Sequence, residues 1–161
     1  MGEHNFAGLS FEQTVRKYKN TVGAVCIMRL KNQSDADDCF QNTFIRLFKK
    51  FPDFESEEHL KAWLIRVSIN ECNRFMRKNR KETYLADNQD DIVSFPQEQG
   101  DLSWALHMLT DKYREVMYLY YCEDYKVNEI ATILKKSPNT VKSLLMRGRE
   151  KLKAIYGGDD E

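Results

Sequence analysis

The residues best suited to chemistry lie near the C-terminus, in the stretch SPNTVKSLLMRGREKLK at positions 137–153. At about 100° per residue, a helix places its buried positions on one face, which consists of Val141, Leu144, Leu145, Gly148 and Leu152. The opposite face, with Thr140 at its edge, is mostly polar and carries Asn139, Lys142, Ser143, Met146 and Arg147. Polar side chains of these types hydrogen-bond to base edges and phosphates in the major groove. The pattern favours a helix that reads DNA, although a solvated surface helix would equally explain the apolar face.

The positive charge of the chain is concentrated in two segments. The whole chain is neutral, with 25 Lys+Arg and 25 Asp+Glu in 161 residues. Residues 61–81 contain Lys61, Arg66, Arg74, Arg77, Lys78, Arg80 and Lys81 against Glu71. Residues 135–153 contain Lys135, Lys136, Lys142, Arg147, Arg149, Lys151 and Lys153 against Glu150. One basic run is usually a solvated face, but two separated basic helices favour contact with phosphates.

The sequence has no constellation typical of catalysis or metal binding. The cysteines Cys26, Cys39, Cys72 and Cys122 and the histidines His4, His59 and His107 are scattered, with no CxxC pair. Phosphate-binding glycine loops, nucleophile elbows and HExxH helices are also missing from the sequence. We therefore expect no metal, no cofactor and no enzymatic activity. No apolar run approaches the roughly 18 residues of a membrane span, and no signal-peptide pattern opens the chain, which predicts a cytoplasmic protein.

The elements that must position these residues are predicted to be helices throughout, so the fold class is all-α. Apolar residues recur at helical spacing between only 3 prolines. A first helix is expected over residues 11–30. A second should begin at Ser34 as N-cap and end at Pro52, and a third should cover residues 59–81.

Two helical domains are expected, because residues 83–101 contain five acidic residues, no Lys or Arg, a proline and a glycine. The predicted organisation is a first domain at 1–82, a flexible acidic linker at 83–102 and a second domain at 103–161. In the second domain, a break at Thr110 precedes a strongly apolar helix. The segments VNEIATIL and PNTVKSLLMRGREKLK, separated by a short turn, have helix-turn-helix proportions. Ser137 is the expected cap of the last helix and Pro138 its first residue.

Two stretches together resemble a known family. LTDKYREVMYLYYCEDYKVNEIATILKKSPNTVKSLLMRGREKLK is similar to region 4 of bacterial RNA polymerase sigma factors. DADDCFQNTFIRLFKKF, followed by HLKAWLIRVSINECNRFMRKNRK, resembles region 2. Both regions in this order, with no region 3 between them, resemble the extracytoplasmic-function group over roughly residues 10–155. The resemblance implies a factor that binds core RNA polymerase and directs initiation at promoters with recognised −10 and −35 elements.

The resemblance also implies roles for particular residues. Polymerase binding, on the clamp helices of the largest subunit, would fall to Asp35, Asp38, Gln41, Asn42, Thr43, Phe44 and Arg46. Recognition of the melted −10 element would fall to Phe54, Glu55, Ser56, Arg66, Asn70, Asn73, Arg74, Arg77 and Lys78, with Trp63 in the core. Recognition of the −35 element would fall to Asn139, Thr140, Lys142, Ser143 and Arg147. The family is commonly restrained by an anti-sigma factor, so promoter DNA, core polymerase and an anti-sigma factor are the expected partners.

Some positions depart from the family pattern. Lys135 stands where glycine is common in the turn, Lys126 where a Ser or Thr cap is common, and Gly148 where alanine is common. Arg74 stands where the family often has aspartate. Two other functions remain open from the residues alone. A helix-turn-helix repressor or activator would explain residues 103–156 only, and a protein-binding helical adaptor would make both basic faces incidental.

Overall fold

A computed structural model describes residues 6–30, 32–50, 53–82 and 102–157, the side chains of 80–82, 102–104 and 157 excepted. The chain divides into two compact units, Met1–Val93 and Ser94–Glu161. Helices make up almost all of the described residues, which contain no strand beyond an isolated bridge between Phe6 and Leu9. The all-α prediction is confirmed. The predicted linker at 83–101, Pro52 and the C-terminal tail lie outside the described residues.

The first unit is a bundle of three helices that pack pairwise: α1 (Phe11–Leu30), α2 (Gln33–Lys50) and α3 (Glu57–Glu82). The predicted apolar faces meet in its core, where Val22, Leu47 and Leu64 are fully buried. Trp63 is half-buried against this core, as expected for a packing residue. The bundle is therefore built from the period of about 3.6 residues that the sequence displays.

The N-terminus of α2 corrects one prediction. The amide of Asp35 donates to Asn32 Oδ1 at 3.0 Å, and the amide of Ala36 donates to the Asn32 carbonyl at 2.9 Å. Asn32 is therefore the N-cap, and the predicted cap Ser34 lies exposed in the first turn. Asparagine is as good a cap as serine. Because it lies two residues earlier, the helix begins at Gln33 and includes Ser34.

Three cysteines that are far apart in the sequence meet in this core. Cys26, Cys39 and Cys72, one from each helix, are buried as free thiols. Hydrogen bonding to Cys72 and burial raise the pKa of Cys39, and contact with Cys26 and burial likewise raise the pKa of Cys72. Buried thiols with raised pKa values are poor nucleophiles, so their role is packing. In the part of the chain that the structure describes, no three His, Cys, Asp or Glu side chains form a metal-binding group.

The second unit consists of α4 (Leu102–His107), α5 (Asp111–Met117), α6 (Val127–Leu134) and α7 (Pro138–Gly157). The predicted break at Thr110 is confirmed, and α5 continues into a π-helical segment, Tyr118–Cys122, that the sequence analysis did not predict. The Glu123 amide donates to the Tyr118 carbonyl at 3.2 Å, which is the hydrogen bond between residues five apart that defines a π-helix. Both α5 and α6 pack against α7, so one face of this last helix is covered.

Gly148 allows α5 and α7 to approach each other closely. The glycine is buried, and a Cβ atom added to it would lie 3.0 Å from both Cγ and Sδ of Met117. A contact this short forces the thioether to move, which an unbranched methionine does at modest cost. The glycine that departs from the family pattern therefore has a packing reason.

Substitutions at Gly148 should separate helix propensity from packing. We expect Gly148→Ala to change the free energy of unfolding by less than about 1 kcal/mol, because gained propensity offsets the displacement of Met117. Gly148→Leu should destabilise the second unit by about 2 kcal/mol or more, because three further carbons cannot be accommodated. Urea unfolding measures both changes. Ala154→Leu, at an exposed position of the same helix, is the control and should be nearly neutral; a Gly148→Leu protein as stable as the parent would contradict this account.

Candidate nucleic-acid and polymerase interfaces

The start of α7 is fixed by its own residues. The Thr140 amide donates to Ser137 Oγ at 3.1 Å, and Pro138 is the first helical residue, so both predictions are confirmed. The Ser137 hydroxyl is also 2.9 Å from Thr140 Oγ1. This cap leaves the first turn of α7 exposed and rigid, which suits a surface that must hold side chains against a groove.

The turn before α7 is stabilised without glycine. Lys135, which stands where the family often has glycine, adopts the left-handed conformation with φ 58°. The Lys136 amide donates to the Ala131 carbonyl at 2.9 Å, the longer hydrogen bond of a helix-terminating Schellman motif. At the other end of α6, the Lys126 amide donates to Glu129 Oε1 at 2.8 Å. Glu129 thus satisfies an amide at the N-terminus, which partly replaces the missing Ser or Thr cap.

The two faces of α7 divide as the periodicity predicts. Val141, Leu144, Leu145 and Gly148 are buried, and Leu152 is half-buried. On the opposite face, Asn139, Thr140, Lys142, Met146 and Arg147 are exposed, and Ser143 is half-buried. The exposed N-terminal half of α7 carries no carboxylate before Glu150. The arrangement can donate hydrogen bonds to base edges and neutralise phosphates, provided that DNA approaches this face.

The second basic surface lies on α3. Of the residues predicted for the −10 element, Glu55, Ser56, Asn70, Arg74, Arg77 and Lys78 are exposed, and Arg66 is half-buried. Ser56 begins the helix, since its Oγ accepts a hydrogen bond from the His59 amide at 3.1 Å. The exposed cations lie along the C-terminal half of α3, where they could follow a DNA backbone.

Two predicted −10 residues are engaged inside the first unit. The Asn73 carboxamide oxygen accepts a hydrogen bond from the guanidinium of Arg29, a buried residue of α1. The Phe54 ring packs edge-on against Trp63 and His59, with centroids 5.6 and 5.2 Å away. These contacts cannot be seen in the sequence because they depend on residues of other helices and of the loop. Both side chains are half-buried, and these contacts fix their positions within the first unit.

The residues predicted for the polymerase surface on α2 divide between the outer face of the helix and the interior of the first unit. Asp38, Gln41 and Asn42 are exposed, and Asp35 is half-buried. Thr43 and Phe44 are buried, and the Thr43 hydroxyl donates to the Cys39 carbonyl at 2.8 Å. Neither side chain is therefore available on the outer face of α2. Both positions belong to the inward face of the helix, where they pack in the core.

The outer face of α2 also carries Ile45, and Phe48 lies at its edge with its ring 5.1 Å from that of Phe11 on α1. The sequence predicted neither residue on this surface. Ile45 and Phe48 are 46% and 49% exposed, which is unusual for large apolar residues. They continue the line of Asp38, Gln41 and Asn42 at spacings of three or four residues. That spacing was visible in the sequence, but only the observed burial of Phe44 shows which side of α2 faces outward.

Arg46 contacts the first unit itself. Its Nε donates to the Glu71 carboxylate of α3, and the Glu71 side chain is 7% exposed against 30% for Arg46. Glu71 was counted only as the single acid within a basic segment. Its burial shows that it serves to bind Arg46 rather than to offset the surrounding cations.

Two sequence-family models match this chain, one in each unit. The sequence model of Sigma-70 region 2 matches residues 14–82, and that of Sigma-70 region 4 matches residues 101–152. The ECF RNA polymerase sigma factor SigM of Bacillus subtilis (strain 168) is 29% identical over 95% of this chain and 100% of its own length. SigW of the same organism is 29% identical over 89% of this chain and 87% of its own.

Solved structures give the same result. The sigma factor RpoE from Bartonella quintana, crystallised with the anti-sigma factor NepR, matches with a TM-score of 0.77 and 27% identity, covering 92% of this chain and 98% of that one. CnrH, solved in complex with the cytosolic domain of CnrY, matches with a TM-score of 0.65 and 25% identity over 92% and 88% of the two chains.

The two matched regions, in this order, define a sigma factor of bacterial RNA polymerase. The chain belongs to the extracytoplasmic-function group of that family. Its function is to bind core RNA polymerase and direct promoter-specific initiation. A stand-alone repressor is not favoured, because it would leave the region 2 unit without a role. None of the described helices is long and apolar enough to cross a bilayer.

Proposed function

We propose that this sigma factor reads the −35 element with the exposed N-terminal half of α7, from Asn139 to Arg147. The observation that carries the proposal is the division of α7 into a buried apolar face and an exposed face without carboxylates. The packing of α5 and α6 behind it fixes the helix as a rigid reading element. Asparagine and arginine side chains on such a face hydrogen-bond to the major-groove edges of adenine and guanine.

The exposed residues of α3 and of the preceding loop would contact the melted −10 element. Arg74, Arg77 and Lys78 are placed to follow its backbone, while Glu55, Ser56 and Asn70 offer hydrogen-bonding groups to unpaired bases. The outer face of α2, extended by Ile45 and Phe48, would contact the clamp helices of the polymerase. The chain would thus act without an active site, as two DNA-reading domains at 1–82 and 103–161 joined through residues 83–102, which gain affinity once both engage.

An anti-sigma factor is proposed as a further partner. The two structural relatives described above were solved as complexes, RpoE with an anti-sigma factor and CnrH with the cytosolic domain of CnrY. The chain covers 98% and 88% of the lengths of those two proteins, which supports a partner of the same kind here. A purified anti-sigma domain should suppress transcription directed by this chain, and added core polymerase should restore it by competition.

The direct experiment is a reconstituted transcription assay. The full chain is added to sigma-free core polymerase with candidate promoters, and specific transcripts are counted. Specific transcripts that depend on both the −35 and −10 sequences would support the proposal. Tight sequence-specific binding by the chain alone, with no transcript at any promoter, would instead indicate an operator-binding protein.

Arg147→Ala is expected to weaken −35-dependent initiation by about 1–3 kcal/mol, roughly 5- to 150-fold, because it removes a base-reading side chain. Initiation rates on matched promoters with intact and mutated −35 sequences measure the effect. Lys153→Ala removes one cation from the exposed end of the same helix and is the control. It should reduce initiation slightly and equally on both promoters. Equal discrimination by wild-type and Arg147→Ala proteins would contradict the assignment.

A further inference from the structure

The exposed face of α7 contains one side chain that polar DNA contacts leave unexplained. Met146 is 54% exposed and is the only apolar residue among the described exposed side chains between Asn139 and Arg147. At about 100° per residue, it lies within about 20° of Asn139 around the helix axis and between Lys142 and Ser143. It therefore stands near the middle of the face that points away from the buried Leu144 and Leu145.

The surroundings of Met146 are those of a groove contact rather than of a protein interface. Its neighbours one turn away along the helix are Lys142, Ser143, Arg149 and Glu150, all polar or charged. A protein-docking patch would need contiguous apolar surface, which these neighbours do not provide. The remaining apolar feature of a major groove is the C5-methyl group of thymine.

We propose that Met146 is a specificity-determining residue that selects a thymine within the −35 element by apolar contact with its C5-methyl group. This inference rests on the proposed reading of the −35 element by α7. The thioether is polarisable and unbranched, so it can follow the position of a methyl group while Asn139 and Arg147 hydrogen-bond to neighbouring bases. Thymine could lie on either strand, since both are exposed in the groove.

Deoxyuridine tests the contact directly, because it differs from thymidine only by the missing methyl group. The probes are promoters active in the reconstituted assay, with each −35 thymine replaced singly by deoxyuridine on either strand. For the wild-type holoenzyme, one replacement should reduce binding and initiation about fourfold, the value expected for one methyl group removed from apolar contact. Met146→Ala should show a similar loss on the natural promoter and no further loss with deoxyuridine.

Two variants make the outcome specific. Met108→Ala truncates another exposed methionine of the same unit, 58% exposed but on a different element, and should keep full deoxyuridine sensitivity. Arg147→Ala should also keep that sensitivity while losing hydrogen-bond readout. If no thymine replacement affects the wild-type holoenzyme while Arg147→Ala still impairs −35 discrimination, the Met146 inference is overturned and the −35 proposal stands. If neither the thymine replacements nor Arg147→Ala changes −35-dependent initiation, the proposed reading of the −35 element by α7 is itself wrong.

Discussion

Arg114→Met is expected to unfold the second unit under conditions in which the first unit stays folded. The Arg114 side chain is 1% exposed, and its Nε donates to the Leu106 carbonyl at 2.9 Å. Its guanidinium also donates to the Leu109 carbonyl and, at 2.6 Å, to Asp111 Oδ1. These bonds satisfy carbonyls at the end of α4 and attach that helix to α5. The arginine therefore adds to the backbone hydrogen bonds that end α4, in which the Met108 and Leu109 amides donate to the Ala105 and Leu106 carbonyls at 3.0 and 3.1 Å.

The expected loss for Arg114→Met is about 3–5 kcal/mol, because two hydrogen bonds from a buried charged group to carbonyls are lost, at about 1.5–3 kcal/mol each, and the packing changes as well. A small unit of this kind has little more stability than that. Thermal unfolding with residue-resolved hydrogen exchange should show an early transition confined to the second unit, together with loss of −35 discrimination. Lys112→Met, which removes an exposed cation two residues earlier, should change stability by less than about 0.5 kcal/mol. Coincident unfolding of both units in Arg114→Met would refute this account.

Arg46→Met is expected to destabilise the first unit by about 3 kcal/mol. The substitution leaves the carboxylate of Glu71 buried without its cation, and removing one partner of a buried pair costs more than removing both. The resemblance assigned Arg46 to the polymerase, whereas the structure gives it a partner 25 residues away on α3. The stability loss should therefore appear in the free protein, with no polymerase present.

A double-mutant cycle distinguishes the two roles of Arg46. Arg46→Met combined with Glu71→Met should recover most of the lost stability, because neither buried charge remains. Urea unfolding measures the stabilities, and titration of core polymerase measures the affinity. If the ion pair is the main role, the double variant should bind polymerase nearly as well as wild type. If the Arg46→Met protein is as stable as wild type but binds polymerase much more weakly, Arg46 is a polymerase contact instead. Asp38→Ala, at an exposed position of α2, is the matched test of direct contact and should weaken binding without affecting stability.

The positions of the helices were largely predictable because helical periodicity is local. The bounds of α1 and the first residue of α7 agree with the prediction, and the buried face of α7 agrees residue by residue. A local signal also gave Ser137 as a cap. The prediction of Ser34 as cap failed because Asn32 offers the same chemistry two residues earlier, and a sequence does not rank competing caps.

The candidate surfaces were predictable only where exposure follows from a single helix. The reading face of α7 has one strongly apolar side, so its opposite side is defined without knowledge of its neighbours. On α2, apolar residues occur on both sides, and Ile45 and Phe48 could not be separated from Phe44 until the packing of α1 and α3 was known. The π-helical turn at Tyr118–Cys122 was likewise hidden, because its sequence is compatible with an ordinary helix.

By itself, the sequence determined the helical class, the two sigma regions and the polar face of α7, because these depend on residue type and short spacing. Only the tertiary structure decided which side chains form contacts between helices inside each unit. It brought Cys26, Cys39 and Cys72 together, paired Arg46 with Glu71 and set Gly148 against Met117. Each of these contacts joins different helices, and its geometry depends on how those helices cross. No period within one helix records that crossing, so the division between supporting and binding residues becomes visible only in the folded chain.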